Sequence, residues 1–217
     1  MAKIFAVNGS PRKDGNTAQL LKRALEGAAD SGAETELIQL SELKFSGCLS
    51  CFECKRLGSP CAGRCAVKDD LAPVLEKLIF SDGIIMGSPI YFGAESGLYR
   101  SFLERLFFPL LRYTAPAGSA APKKFDFGFI YTMNVPENVM KENGYCSHLE
   151  KSRNFPQLIF GSRNVYTLYA NDTYQFDDYS RYESSMFDAE HKKEMRKTLF
   201  VSDLEKAFDM GRKLAGK

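Results

Sequence analysis

The chain is poor in several things that would announce a function. Histidine occurs only twice among 217 residues, at His148 and His191, far in sequence from the glycine-rich stretches described below. No acid–base pair is therefore nominated and no catalytic side chain is assigned. Charge of one sign is not in excess: 29 Lys and Arg against 27 Asp and Glu leave a net charge of +2, so no broad field favours nucleic acid or an anionic membrane surface. No run approaches the roughly 18 apolar residues of a membrane span. The start, Met-Ala-Lys-Ile-Phe-Ala-Val, enters a strand pattern without a basic segment and long apolar stretch. A cytoplasmic protein is expected, where disulfides are rare. Both Gly-x-x-x-x-Gly-Lys-Ser/Thr and Gly-x-Gly-x-x-Gly are missing, which argues against a triphosphate loop or a dinucleotide fingerprint.

What is present begins at residues 7 to 17, Val-Asn-Gly-Ser-Pro-Arg-Lys-Asp-Gly-Asn-Thr. An apolar strand, Lys3 to Asn8, ends there and an amphipathic helix starts, with Ala18, Leu21, Leu25 and Ala28 on one stripe. Helix N-termini carry unpaired N–H groups and partial positive charge, so a small-residue loop at this point suits a monophosphate. Ser10, Arg12, Asn16 and Thr17 are its expected ligands. A second loop, Ser88-Pro89-Ile90-Tyr91-Phe92-Gly93, follows the strand from Gly83 to Gly87. A proline, two aromatics and a glycine past a buried strand make an edge on which a planar ring can rest. A third rim segment, Met133-Asn134, follows the strand from Phe125 to Met133.

Five strands, near 3–8, 34–40, 83–87, 125–133 and 164–170, alternate with helices. The expected architecture is a single α/β domain, doubly wound and parallel, in the order 2-1-3-4-5. A helix from Leu98 to Leu111 is apolar over much of its circumference, which suggests a homodimer or homotetramer. Pro156 is expected to interrupt a helix between Leu149 and Phe160. The segment from Ser185 to Leu214 is expected to be one helix or two, broken near Phe200 to Ser202. Asn171 to Arg181 reads as a rim loop without assigned chemistry.

Between the second strand and Asp69, about residues 46–68, the pattern lapses into a cysteine-rich insertion. Cys48-x-x-Cys51-x-x-Cys54 is followed by Cys61 and Cys65. Thiols at successive offsets of three can converge on an iron-sulfur cluster, on zinc, or remain free. The basic residues Lys55, Arg56, Arg64 and Lys68 either offset a cluster's charge or form a solvated face. The insertion leaves the rim that carries the other two loops, which suggests an electron path between them.

Gly-Ser-Pro-Arg-x-x-Gly-Asn-Thr after the first strand, with Ser-Pro-Ile-Tyr-Phe-Gly after the third, resembles the flavodoxin-like NAD(P)H-dependent FMN reductases. The resemblance implies FMN, its phosphate on the first loop and its isoalloxazine against Pro89, Ile90, Tyr91, Phe92 and Gly93, with Met133 and Asn134 at the ring edge. It also implies a nicotinamide donor and a small-molecule or protein acceptor. The cysteine loop sits where the related iron-sulfur flavoproteins carry four cysteines for a [4Fe-4S] cluster. That likeness implies Cys48, Cys51, Cys54 and Cys65 as ligands, with Cys61 as the supernumerary thiol. The rival expectation is a flavodoxin-like electron carrier with no substrate of its own.

Overall fold

A computed structural model describes residues 1–216. Five parallel strands form the central sheet: β1 Lys3–Asn8, β2 Glu34–Gln39, β3 Gly83–Tyr91, β4 Asp126–Thr132 and β5 Val165–Ala170. Their order is β2-β1-β3-β4-β5, as expected from the alternation of elements. Register places Asn8 beside Gly87 and Pro89 beside Thr132, so the loops after β1, β3 and β4 leave the same edge of the sheet.

Side chains alternate across the sheet with the period of two that a strand imposes. Phe5, Val7, Met86, Phe127, Phe129 and Tyr131 face one way, against α2 (Leu71–Ile79), α3 (Gly97–Phe107) and part of α5 (Tyr145–Phe160). Ile4, Ala6, Ile85, Ile130, Leu168 and Ala170 face the other way. That second face is covered by α1 (Asn16–Asp30), whose Leu20, Leu21, Ala24 and Ala28 are buried, and by α7 (Leu199–Leu214). Helices α1 and α7 cross at two glycines. A Cβ on Gly27 would lie 2.0 Å from the Phe208 carbonyl oxygen, and one on Gly211 would lie 1.8 Å from that of Ala24. Nothing larger than hydrogen fits there.

Several local expectations need correction. Strand β3 does not stop at Gly87 but continues to Tyr91 and turns back through Phe92 and Gly93, both at positive φ, to pair with Ala94–Glu95. The second loop is thus a tight hairpin, because two left-handed residues make a turn whose twist matches the strands. The apolar helix after it ends at Phe107, short of Leu111, and Leu111–Arg112 pairs antiparallel with Gly118–Ser119. Pro156 lies within α5 rather than interrupting it. It stands four residues before the helix end at Phe160 and removes a single backbone donor, and Ser162 donates through its hydroxyl to the Pro156 carbonyl. A short helix, α4 (Glu137–Glu142), was not anticipated. The C-terminal segment is two helices, α6 (Ala189–Lys197) and α7, and the break falls at Thr198. No helix among the described residues is long and apolar enough to cross a membrane.

Candidate functional site

The loop after β1 is drawn tight by its own side chains. Asn8 Oδ1 accepts from the Ser10 amide at 3.0 Å, and Ser10 Oγ accepts from the Arg12 amide at 3.1 Å. Gly9 donates to the Gly87 carbonyl at 2.8 Å, and its own carbonyl accepts from Ser96 Oγ at 2.8 Å. A Cβ on Gly9 would lie 2.7 Å from that of Tyr99, so this glycine lets β1, β3 and the start of α3 meet. Helix α1 begins at Asn16 with no side-chain cap and no acidic residue in its first turn. Its free amides and dipole face the same place as Arg12, a donor set that fits a phosphate.

The expected phosphate side chains are gathered, but all four are already engaged within the protein, Ser10 through the Arg12 amide. Asn16 Nδ2 donates to the Tyr174 carbonyl at 2.8 Å and Arg12 Nη1 to that of Gln175 at 2.9 Å. Thr17 is buried and shares a 2.7 Å hydrogen bond with Thr132 Oγ1 on β4. The loop after β5, unassigned from sequence, therefore closes over the phosphate loop. Arg196 of α6 joins it, donating to Asn16 Oδ1 at 2.9 Å. Nothing local in sequence marks these residues; the contact with Asn16 spans 180 positions.

On the platform, Pro89 and Ile90 belong to β3, while Tyr91 and Phe92 project from the hairpin and are exposed. A Cβ on Gly93 would press on the ring of Tyr145, at 3.0 Å from Cε1. Under the hairpin lies Glu95, whose side chain is buried; its Oε1 accepts from Ser152 Oγ at 2.7 Å. Arg100 and His148 approach its other oxygen at 3.7 and 3.9 Å. Burial pushes the hydroxyls of nearby Tyr99 and Tyr131 well above their usual pKa. Met133 is buried beside Ala170, and the Asn134 carbonyl accepts from buried Lys192 at 2.7 Å. Lys192 also bonds Asp172, which accepts from His191 on its second oxygen at 2.6 Å. His191 and His148 are both about half exposed.

The cysteine insertion does not stay at the rim. It runs down α3, where the Cys48 amide donates to Glu104 at 3.0 Å and Arg105 Nε to Cys65 Sγ at 2.9 Å. From the helix cap at Ser96 to Glu104 is eight residues, roughly 12 Å of helix rise. Cys48, Cys51, Cys54 and Cys65 line one enclosed cavity of about 20 Å³, and Cys61 is not part of its wall. Among the described residues no three metal-ligand side chains are gathered at binding distance. The four-thiol chemistry fits a cluster, but a volume near that of one water does not admit it without the thiols spreading. Ser50 and Phe52, between the first three cysteines, sit at positive φ, a conformation that costs energy in a non-glycine residue. Of the basic residues, Lys55 Nζ is held by the carbonyls of Phe108, Pro109 and Leu111, Arg56 pairs with Glu53, and Arg64 pairs with Glu76.

Residues 2–124 match the NADPH-dependent FMN reductase family. The chain belongs to that family. An iron-sulfur flavoprotein of Methanocaldococcus jannaschii is 39% identical over 103 residues, 48% of this chain and 51% of the relative. One from Clostridioides difficile is 28% identical over 167 residues, 71% and 69% of the two chains. The chain spans about half the length of the first of these curated relatives. Among solved structures, an NAD(P)H:quinone oxidoreductase from Methanothermobacter marburgensis superposes with a TM-score of 0.72 at 14% identity, over 97% of this chain and 98% of that one. At that identity the likeness concerns the fold, which this FMN reductase family member shares along nearly its whole length. The family match contains the loop after β1, the cysteine insertion and the hairpin. It leaves out Met133, Asn134 and the closing loop after β5.

Proposed function

We propose that this chain is a one-domain, FMN-dependent oxidoreductase that draws on NADH or NADPH and serves a small-molecule or protein acceptor. The observation that carries this reading is the convergence, on one sheet edge, of an uncapped helix N-terminus with its tight loop and a flat hairpin. When bound, FMN would supply hydride acceptance and electron release. Ser10, Arg12, Asn16 and Thr17 with the α1 amides would hold its phosphate. Pro89 to Gly93 would support the ring, with Met133 and Asn134 at its edge. The protein's part is to bind, orient and exclude water, and no side chain is assigned a proton.

A second reading is favoured by the four cysteines around one cavity and by the name of the curated relatives. In it, Cys48, Cys51, Cys54 and Cys65 hold a [4Fe-4S] cluster, which would supply one-electron transfer. The groove between α3 and α5, walled by Leu103, Phe107, Phe108, Leu111, Phe155 and Leu158, supports assembly as a homodimer or homotetramer. A cytoplasmic setting agrees with a reduced thiol set.

The test is the visible spectrum of the purified protein, followed by anaerobic titration with NADPH and NADH. Flavin bands that bleach with a nicotinamide and return with a quinone, nitro compound or free flavin support the reductase. A broad absorbance beneath them supports the cluster. A colourless protein that takes up no added FMN overturns both.

A further inference from the structure

A cleft of about 720 Å³ lies between the phosphate loop and the segment after β5. Arg12, Asn16 and Gln19 form one wall; Phe176, Tyr182 and Arg196 form the other. The second wall lies wholly beyond the residues that match the family.

Arg196 reaches across from α6 to the start of α1. Its Nη1 donates to Asn16 Oδ1 at 2.9 Å, its Nη2 donates to Gln19 Oε1 at 2.5 Å, and its guanidinium lies 4.1 Å from the centre of the Phe200 ring. Burial alone draws its pKa down, with no acidic group opposing that effect. The Arg12 guanidinium donates only to the Gln175 carbonyl. The two carboxylates at the cleft edge are exposed: Asp14 is bonded to Lys22 at 2.7 Å, and Asp177 faces solvent. Two guanidinium groups and the positive end of α1 thus line one cleft, and among the described residues neither guanidinium is paired with a carboxylate, an arrangement that favours an anion. Phe176 and Tyr182 stack with centroids 4.3 Å apart and planes at 13°, closing the cleft with a flat, apolar side.

We infer that Arg196 is an anchor for a nucleotide phosphomonoester, which this cleft takes between Arg196 and Arg12. The inference rests on the FMN reductase reading. The dianion has two sources in that chemistry, the 5′-phosphate of FMN and the 2′-phosphate of NADPH, and a planar guanidinium suits either.

The experiment compares wild type with Arg196→Gln, which keeps a hydrogen-bonding amide and removes the charge, and with Arg196→Lys, which restores the charge. FMN and riboflavin binding are read by flavin fluorescence. Binding of 2′,5′-ADP and of 5′-AMP to the FMN-loaded protein is read by calorimetry. A loss of FMN affinity of about 10-fold to 100-fold in Arg196→Gln, partly recovered in Arg196→Lys, with riboflavin unchanged, assigns the site to FMN. The same pattern for 2′,5′-ADP alone, with FMN and 5′-AMP unchanged, assigns it to the nicotinamide donor. Unchanged affinities for every ligand, or a lysine variant no better than the glutamine one, overturn the inference. Wild-type protein that binds FMN and riboflavin equally would instead overturn the phosphate loop itself, whatever Arg196 does.

Discussion

Arg105 Nε donates to the sulfur of Cys65 at 2.9 Å, from a side chain that is only 1% exposed. The rest of the guanidinium is equally committed: Nη1 and Nη2 hold the two carboxylate oxygens of Asp69 at 2.8 and 3.0 Å and the carbonyls of Ser46 and Val67 at 3.0 and 3.3 Å. All five donors of an arginine are used. One residue of α3 thereby fastens both ends of the cysteine insertion, and it distinguishes Cys65 from Cys61.

Replacing Arg105 with alanine leaves the Asp69 carboxylate and two carbonyls without their partner. Breaking a buried ion pair by removing one side costs about 3–5 kcal/mol, so Arg105→Ala should unfold at a markedly lower urea midpoint. A midpoint within error of wild type would mean the insertion is not held this way.

The pair also sets a pH dependence. The hydrogen bond from Arg105 holds the Asp69 carboxyl below its usual pKa of 3.8. A depressed folded-state pKa stabilises fully above the unfolded value and loses that contribution as pH falls through the folded one. The stability difference between wild type and Asp69→Asn should therefore be constant near neutrality and shrink below about pH 4. Urea titrations that show the same difference from about pH 7 to about pH 3 would contradict it.

At the crossing of α1 and α7, Gly211→Ala sets a methyl against the Ala24 carbonyl. Alanine gains about 1 kcal/mol in helix propensity, but forcing the helices apart costs about 1–3 kcal/mol or more. The variant should melt lower than wild type. A higher melting temperature would show that the helices separate freely.

Two phosphate-loop variants should behave differently. Asn16→Ala removes a part-buried amide that donates to the Tyr174 carbonyl and accepts from Arg196, so it should weaken FMN about 10-fold to 100-fold and cost about 0.5–1.5 kcal/mol of stability. Thr17→Val removes a hydroxyl that already bonds Thr132 inside the protein, so it should also cost about 1–3 kcal/mol of stability by stranding that partner. A Thr17→Val variant as stable as wild type would mean that the Thr17–Thr132 bond contributes nothing.

Cys61 offers the simplest check on the thiol set. After anaerobic reconstitution with iron and sulfide, Cys61→Ser should retain as much iron as wild type, whereas Cys54→Ser and Cys65→Ser should lose most of it. Equal retention by all three would remove the four cavity-lining cysteines as a ligand set.

Sequence alone determined the alternation of strands and helices, their order in the sheet, and the two loops that mark its functional edge. Those features are local: Gly9, Gly15, Pro89 and Gly93 act through backbone geometry within a few residues, and the apolar period reports burial directly. Spacing singled out Cys48, Cys51 and Cys54, and resemblance alone preferred Cys65 over Cys61; folding brings those four to the wall of one small cavity. Only tertiary structure decided that the strand after Gly87 continues into a hairpin, because the turn depends on Phe92 accepting positive φ while Ala94–Glu95 finds an edge to pair with. Folding also moved the cysteine insertion away from the rim, since buried Arg105 binds groups on both sides of it at once. Arg196 and the loop after β5 reach the phosphate loop through contacts about 160 to 180 positions apart. No local pattern encodes such a meeting; it exists because α1 and α7 pack through two glycines and bring the end of the chain back to its beginning.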